Sequence, residues 1–174
     1  MYSIIRFGLL YGLALVIAFF ASHLALGTKL DTFTIGEIFG YSLMIISALA
    51  MVMIMGIKDY KQKRAPAPLG FMAALAVSLG ISLIAAHVFA LYSWLYVKFI
   101  NPTFTTTYLQ YSEQKIISSG LEPIVVEQQL AQLTYYADLM SNNFTQSMLV
   151  FTTMFIIGLL FSLISALALR TPRK

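Results

Sequence analysis

The sequence predicts an all-α polytopic membrane protein with four transmembrane helices and an extracytoplasmic helical hairpin between the third and fourth. Three observations carry this. The 174 residues are 59% hydrophobic and only 10% charged, whereas a soluble domain carries about a quarter charged residues. Four long runs contain no Asp, Glu, Lys or Arg. The basic residues segregate to the segments that alternate connections would place on one side.

The four runs define the spans, at about 7–26, 38–57, 69–97 and 144–169. Each reaches the ~20 residues that a helix needs to cross ~30 Å of hydrocarbon. The third is the longest, so it must tilt or project. The first is read as a retained span, because its apolar stretch exceeds the ~7–15 residues of a signal peptide's apolar region, although Ala25-Leu26-Gly27 faintly resembles a cleavage site. Together the spans make one four-helix membrane domain over 1–174.

Charge orients the domain. With the N-terminus inside, the inner segments hold Arg6, Lys58, Lys61, Lys63, Arg64, Arg170, Arg173 and Lys174 against Asp59 alone. The outer segments hold Lys29, Lys98 and Lys115 against Asp31, Glu37, Glu113, Glu122, Glu127 and Asp138. Both termini and the middle loop are therefore expected in the cytoplasm. The basic residues from Lys58 to Arg64, with Arg170, Arg173 and Lys174, read as topology anchors; the loop cluster can also attract anionic headgroups.

Residues 98–143 form the only extramembrane segment of any size. Asn101-Pro102 breaks the third helix, since proline lacks an amide donor and restrains its predecessor. Thr103–Ser119 suits a helix, with Gly120 beyond its end. Glu122-Pro123 reads as the next helix start. Val126, Leu130, Leu133, Ala137, Met140 and Phe144 then fall at spacings of four and three, a helical seam. Glu127, Gln128, Gln132 and Asp138 lie on the other face. This helix is expected to run into the fourth span with a kink near Ser141-Asn142-Asn143, and to cap the bundle or dock a partner. Tyr92, Trp94 and Tyr96 are expected to form an aromatic belt at the membrane surface.

Packing signals are strongest in the third span. Gly70, Ala74, Ser78, Ser82, Ala86 and Ala90 recur every fourth position, a face that admits another helix closely. Gly8-x-x-x-Gly12, Gly36-x-x-x-Gly40 and Gly158-x-x-x-Ser162-x-x-x-Ala166 are shorter versions. The facing helix can belong to the same chain or to a second copy.

Little chemistry is visible. There is no cysteine, so thiol catalysis and thiolate metal sites are excluded. No phosphate loop, nucleophile elbow or zinc-protease motif occurs. The only ionisable groups within spans are His23 and His87. With Glu37 and nearby Asp31 on the same side, they would form a proton or metal site if the fold brought them together; otherwise each histidine is a neutral interface residue. No cofactor and no nucleic-acid partner is expected.

The short motifs Ile35-Gly36-Glu37-Ile38-Phe39-Gly40-Tyr41, Gly56-Ile57-Lys58-Asp59-Tyr60 and Gly70-Phe71 with Gly80 are joined by Phe99-Ile100-Asn101-Pro102-Thr103-Phe104, Ile157-Gly158-Leu159 and Ser162-Leu163-Ile164. In this order they resemble a bacterial membrane family, the domain-of-unknown-function 4199 family. The resemblance implies four helices in a bacterial cytoplasmic membrane and transfers no catalytic residue. The expected role is a non-enzymatic accessory or scaffolding protein whose outer segment meets an extracytoplasmic partner or a second copy. The alternative is a small oligomeric transporter or ion-binding protein using His23, His87 and Glu37.

Overall fold

The computed structural model describes residues 2–26, 51–65 and 67–170, except for the side chains of 22–26. Among these residues the chain is helical, with short connections. The helices are α1 (Tyr2–Leu26), α2 (described over 51–64), α3 (Phe71–Leu95), α4 (Phe104–Ile117), α5 (Pro123–Met140) and α6 (Asn143–Leu169). A π-helical turn, Tyr96–Ile100, extends α3. Among the described residues three helices are long and apolar enough to cross a membrane: Tyr2–Ala21, Phe71–Ile100 and Asn143–Leu169. The first part of the second predicted span, 38–50, lies outside the described residues.

The chain divides into two compact units, one of residues 1–89 with 151–174 and the other of residues 90–150. In the first, α3 touches each of the other helices. Gly8 and Gly12 of α1 face Ile84 and Val88, and Gly80 faces Ile4. The residue numbers rise together, so α1 and α3 run parallel. Gly56 of α2 meets Phe7 and Ile81, while Lys63 reaches Ser3; α2 therefore runs antiparallel to α1. Ser78 pairs with Ser162 and Ser82 with Gly158, so α6 runs antiparallel to α3. The four directions alternate along the chain.

Close approach explains the small residues here. A Cβ on Gly12 would lie 2.7 Å from Val88 Cβ and 3.2 Å from the Ala85 backbone. Without it, the stiff branched side chains of α3 seat against the α1 backbone and gain dispersion contacts. Met53, Ile57, Leu69, Val77 and Ile81 complete the buried interior. The outward faces carry Leu9, Leu13, Ile17, Leu160 and Ile164, as expected where the solvent is lipid.

The second unit is built differently. The Asn101 N–H reaches back to Tyr96 O at 2.8 Å, closing the π turn. Pro102 supplies no donor for the next helical bond, and Asn101 leaves helical geometry at φ −138° and ψ 78°. Tyr96 is buried and packs edge-on against Phe104. This corrects the expected belt: Tyr96 belongs to the interior of its unit. Trp94 has the belt's chemistry, with Lys98 Nζ 4.6 Å from its ring centroid.

α4 and α5 contact each other. Gly120, at φ +68°, takes the left-handed conformation between them. Pro123 starts α5 in its first turn, where its missing N–H costs nothing. Val126, Leu130, Leu133, Ala137 and Met140 are half-buried, Phe144 is exposed, and neither helix contains a fully buried residue. The expected kink near Ser141 is a full break. α5 ends at Met140, and Asn142 Oδ1 accepts the Phe144 N–H at 2.8 Å, capping the start of α6.

Candidate functional site

The most concentrated buried polar chemistry lies between α2, α3 and α6. Ala74, Ser78, Ser82, Ala86 and Ala90 are buried, whereas Gly70 is exposed, and a Cβ there would meet nothing within 4 Å. The four-residue period brings the Ser78 and Ser82 hydroxyls to one side of α3. On α6 the same period brings Gly158, Ser162 and Ala166 to meet them.

Ser78 Oγ–H is shared between Ala74 O and Leu75 O, both at 3.0 Å, and approaches Ser162 O at 3.4 Å. Ser82 Oγ donates to Gly158 O at 3.2 Å and lies 3.1 Å from Ser162 Oγ. With the Ser82 proton directed at Gly158 O, Ser162 donates to Ser82. The single Ser162 proton is thus shared between Ser82 Oγ and Met53 Sδ, 3.7 Å away, which ties in α2. Gly158 allows this approach, because a Cβ there would lie 2.7 Å from Ser82 Cβ.

This arrangement joins helices. Each hydroxyl satisfies itself on carbonyl, hydroxyl or thioether acceptors, where an unmet donor in a low-dielectric interior would be costly. Nucleophilic activation of a serine needs an adjacent base, and the groups that these three serines bond to are carbonyls, hydroxyls and a thioether. Interhelical hydrogen bonds of this kind contribute about 0.6 kcal/mol each in membrane proteins, up to about 2 kcal/mol.

The histidine site is only partly visible. His87 is exposed, with Nδ1 2.9 Å from Leu83 O and its ring edge-on to Phe151 at 4.7 Å. A bond to that carbonyl requires a proton on Nδ1. The His23 side chain and Glu37 lie outside the described residues, as does Asp31. Among the described residues no group of three or more His, Asp or Glu could hold a metal.

A second polar feature joins the first turn of α1 to the last turn of α2. Lys63 Nζ donates to Asp59 at 2.7 Å and to Ser3 Oγ at 3.4 Å, and sits 5.3 Å from the Tyr2 ring centroid. Hydrogen bonds from Lys63 and Ser3 hold the Asp59 carboxyl below its ordinary range, with the Lys63 and Arg6 charges helping. Lys58, Lys61, Arg64 and Arg170 are exposed; Arg173 and Lys174 lie outside the described residues. The helix directions put Arg6, the end of α2 and Arg170 at one end of this unit.

Ser162 shows what reasoning from one helix misses. The Gly158 and Ser162 pattern marks a face of α6, but nothing in it names Ser82 as the opposite number. Met53 carries no signal at all, because a thioether acceptor among apolar residues looks like ordinary filling. No curated protein and no solved structure matches the chain. The family model described as a protein of unknown function, DUF4199, matches residues 6–171, and the chain belongs to that family.

Proposed function

We propose that this chain is a four-span protein of a bacterial cytoplasmic membrane, with both termini and the middle loop in the cytoplasm. It acts as a non-enzymatic scaffold that presents α4 and α5 as an extracytoplasmic hairpin to a protein partner. The observation that carries this reading is the contrast in how side chains are used. The buried hydroxyls on α3 and α6 are satisfied within their own unit, whereas α4 and α5 contain no buried residue and expose Ile117, Ile124, Tyr135 and Tyr136. Large aromatic and branched residues are the usual anchors of protein interfaces.

The alternating helix directions support the four-span layout, and the basic residues at one end support its orientation. Reporter fusions after Lys63 and Lys174 are expected to read cytoplasmic, and one after Gly120 external. A cytoplasmic reading at Gly120 would falsify the topology. Deleting Thr103–Met140 is expected to leave the remaining helices inserted and to abolish co-purification of a partner; a partner kept by the truncated protein would refute the docking role.

A further inference from the structure

We propose that the α1 and α2 end of the first unit holds the phosphate of an anionic phospholipid, with Arg6 and Lys63 as its ligands and the outer stripe of α1 as the seat of its acyl chains. The inference rests on the membrane reading alone, and is independent of the direction of insertion and of partner docking.

Three observations converge on this place. The first is charge. Arg6, Lys58, Lys61, Lys63, Arg64 and Arg170 gather at this end, and the only ion pair among the described residues is Lys63 with Asp59. Arg6 is exposed, its guanidinium 5.6 Å from the Phe7 ring centroid. It therefore keeps a planar fork of donors, which suits two oxygens of a phosphate diester. Lys63 has three donors; Asp59 and Ser3 take two, and the third remains for a ligand.

The second observation is the ring beside Lys63. Tyr2 is 71% exposed, yet Lys63 Nζ lies over its face. An aromatic ring with a polar tip favours the headgroup layer. The third is the apolar track below. Ile5, Leu9, Leu13 and Ile17 are exposed at helical spacing on the flank that bears Arg6, with Leu13 at 55% and Ile17 at 68%. A headgroup at Arg6 would lay its chains along this track. Lys61, two residues from both Asp59 and Lys63, points to the other side of α2, because two helical residues turn through about 200°.

The test uses the full chain extracted from membranes in detergent, titrated in native mass spectrometry with phosphatidylglycerol or phosphatidylcholine of identical chains. Wild type is expected to bind phosphatidylglycerol more tightly. Arg6→Gln is expected to lose about fivefold of that affinity, the equivalent of one basic side chain near a membrane surface, while phosphatidylcholine binding is unchanged. Arg6→Lys should recover part of the loss, and Lys61→Gln should change little. Equal binding of the two lipids, or an equal loss in Lys61→Gln and Arg6→Gln, overturns the site in favour of unspecific attraction. Displacement of the lipid by millimolar inorganic phosphate also overturns it, since the acyl track would then contribute nothing. Protein recovered without detergent from the soluble fraction would instead refute the membrane reading, so the two failures are distinguishable.

Discussion

The two units solve the problem of joining helices in opposite ways. In the first, small residues remove side chains from the contact: Gly12 admits Val88, Gly158 admits Ser82, and the buried hydroxyls bond across the gap. In the second, α4 and α5 contact each other, the α5 seam residues Val126, Leu130 and Leu133 are half-buried, and neither of these two helices holds a fully enclosed residue. The proposed topology accounts for the difference through the solvent. Lipid gives apolar side chains no reason to leave it, so helices within it associate through close backbone approach and hydrogen bonds. An amphipathic seam such as that of α5 works only where water drives apolar faces together. On that topology small residues mark the contacts made in lipid, and large residues in a seam mark those made in water.

The largest expected effect tests the first half of this comparison. Ser82→Leu places a branched side chain against Gly158 and removes a hydrogen bond. Overpacking alone costs about 1–3 kcal/mol, so the unfolding midpoint in detergent should fall clearly. An unchanged midpoint would mean that this face does not join α3 to α6.

A smaller effect is expected at Gly120. Its φ of +68° is strained for any residue with a Cβ, and Gly120→Ala should cost about 1 kcal/mol. Because the turn lies between α4 and α5, hydrogen exchange should quicken in those helices while α1 and α3 keep their protection. Acceleration spread evenly over all helices would show that the units do not unfold separately.

Leu130→Ala sharpens the second half. A half-buried leucine loses less than the ~2–5 kcal/mol of a fully enclosed one, so the expected cost is nearer 1 kcal/mol, again read in the α4 and α5 amides. A cost as large as that of Ser82→Leu would remove the contrast between the units.

The smallest effect is expected at Asp59, whose side chain is partly open to solvent. Its carboxyl is held below the ordinary range, chiefly by hydrogen bonds from Lys63 and Ser3. A lowered value means that the contribution is fully present above the unfolded value of about 3.9 and is lost as pH falls through the lower folded value. Between pH 8 and 5 the α1–α2 contact should therefore hold steady, weakening only in stronger acid or, through screening, in high salt. Loss of the contact between pH 7 and 5 would point to a different titrating group.

Backbone chemistry is the most legible part of the sequence. Proline without a donor at 102, glycine able to take positive φ at 120 and proline at the head of α5 each act locally, so one residue announces one event. Apolar length likewise marks the three long helices. Relations between helices are harder to read. A four-residue period puts Ala74, Ser78, Ser82 and Ala86 on one face, yet it cannot name Gly158 and Ser162 as what lies opposite. Tyr96 misleads because a tyrosine at the end of an apolar run looks interfacial. The π turn and its ring contact with Phe104 instead turn it inward. The break before α6 is hidden for a related reason: Asn142 reads as a weak helix residue until its side chain is seen capping the next amides.

The parallel pairing of α1 with α3 has a consequence for the order of assembly. Gly8 meets Ile84, so 76 residues of chain separate the two halves of one contact. At a synthesis rate of about 5–20 residues per second, α1 waits roughly 4–15 seconds for its partner to be made. During that interval the backbone at Gly8 and Gly12 is open to lipid or to any insertion factor beside it, while α2 is still emerging. This close-packed interface is therefore formed late, and the nascent chain spends its first seconds in the bilayer with one of its close contacts unmade.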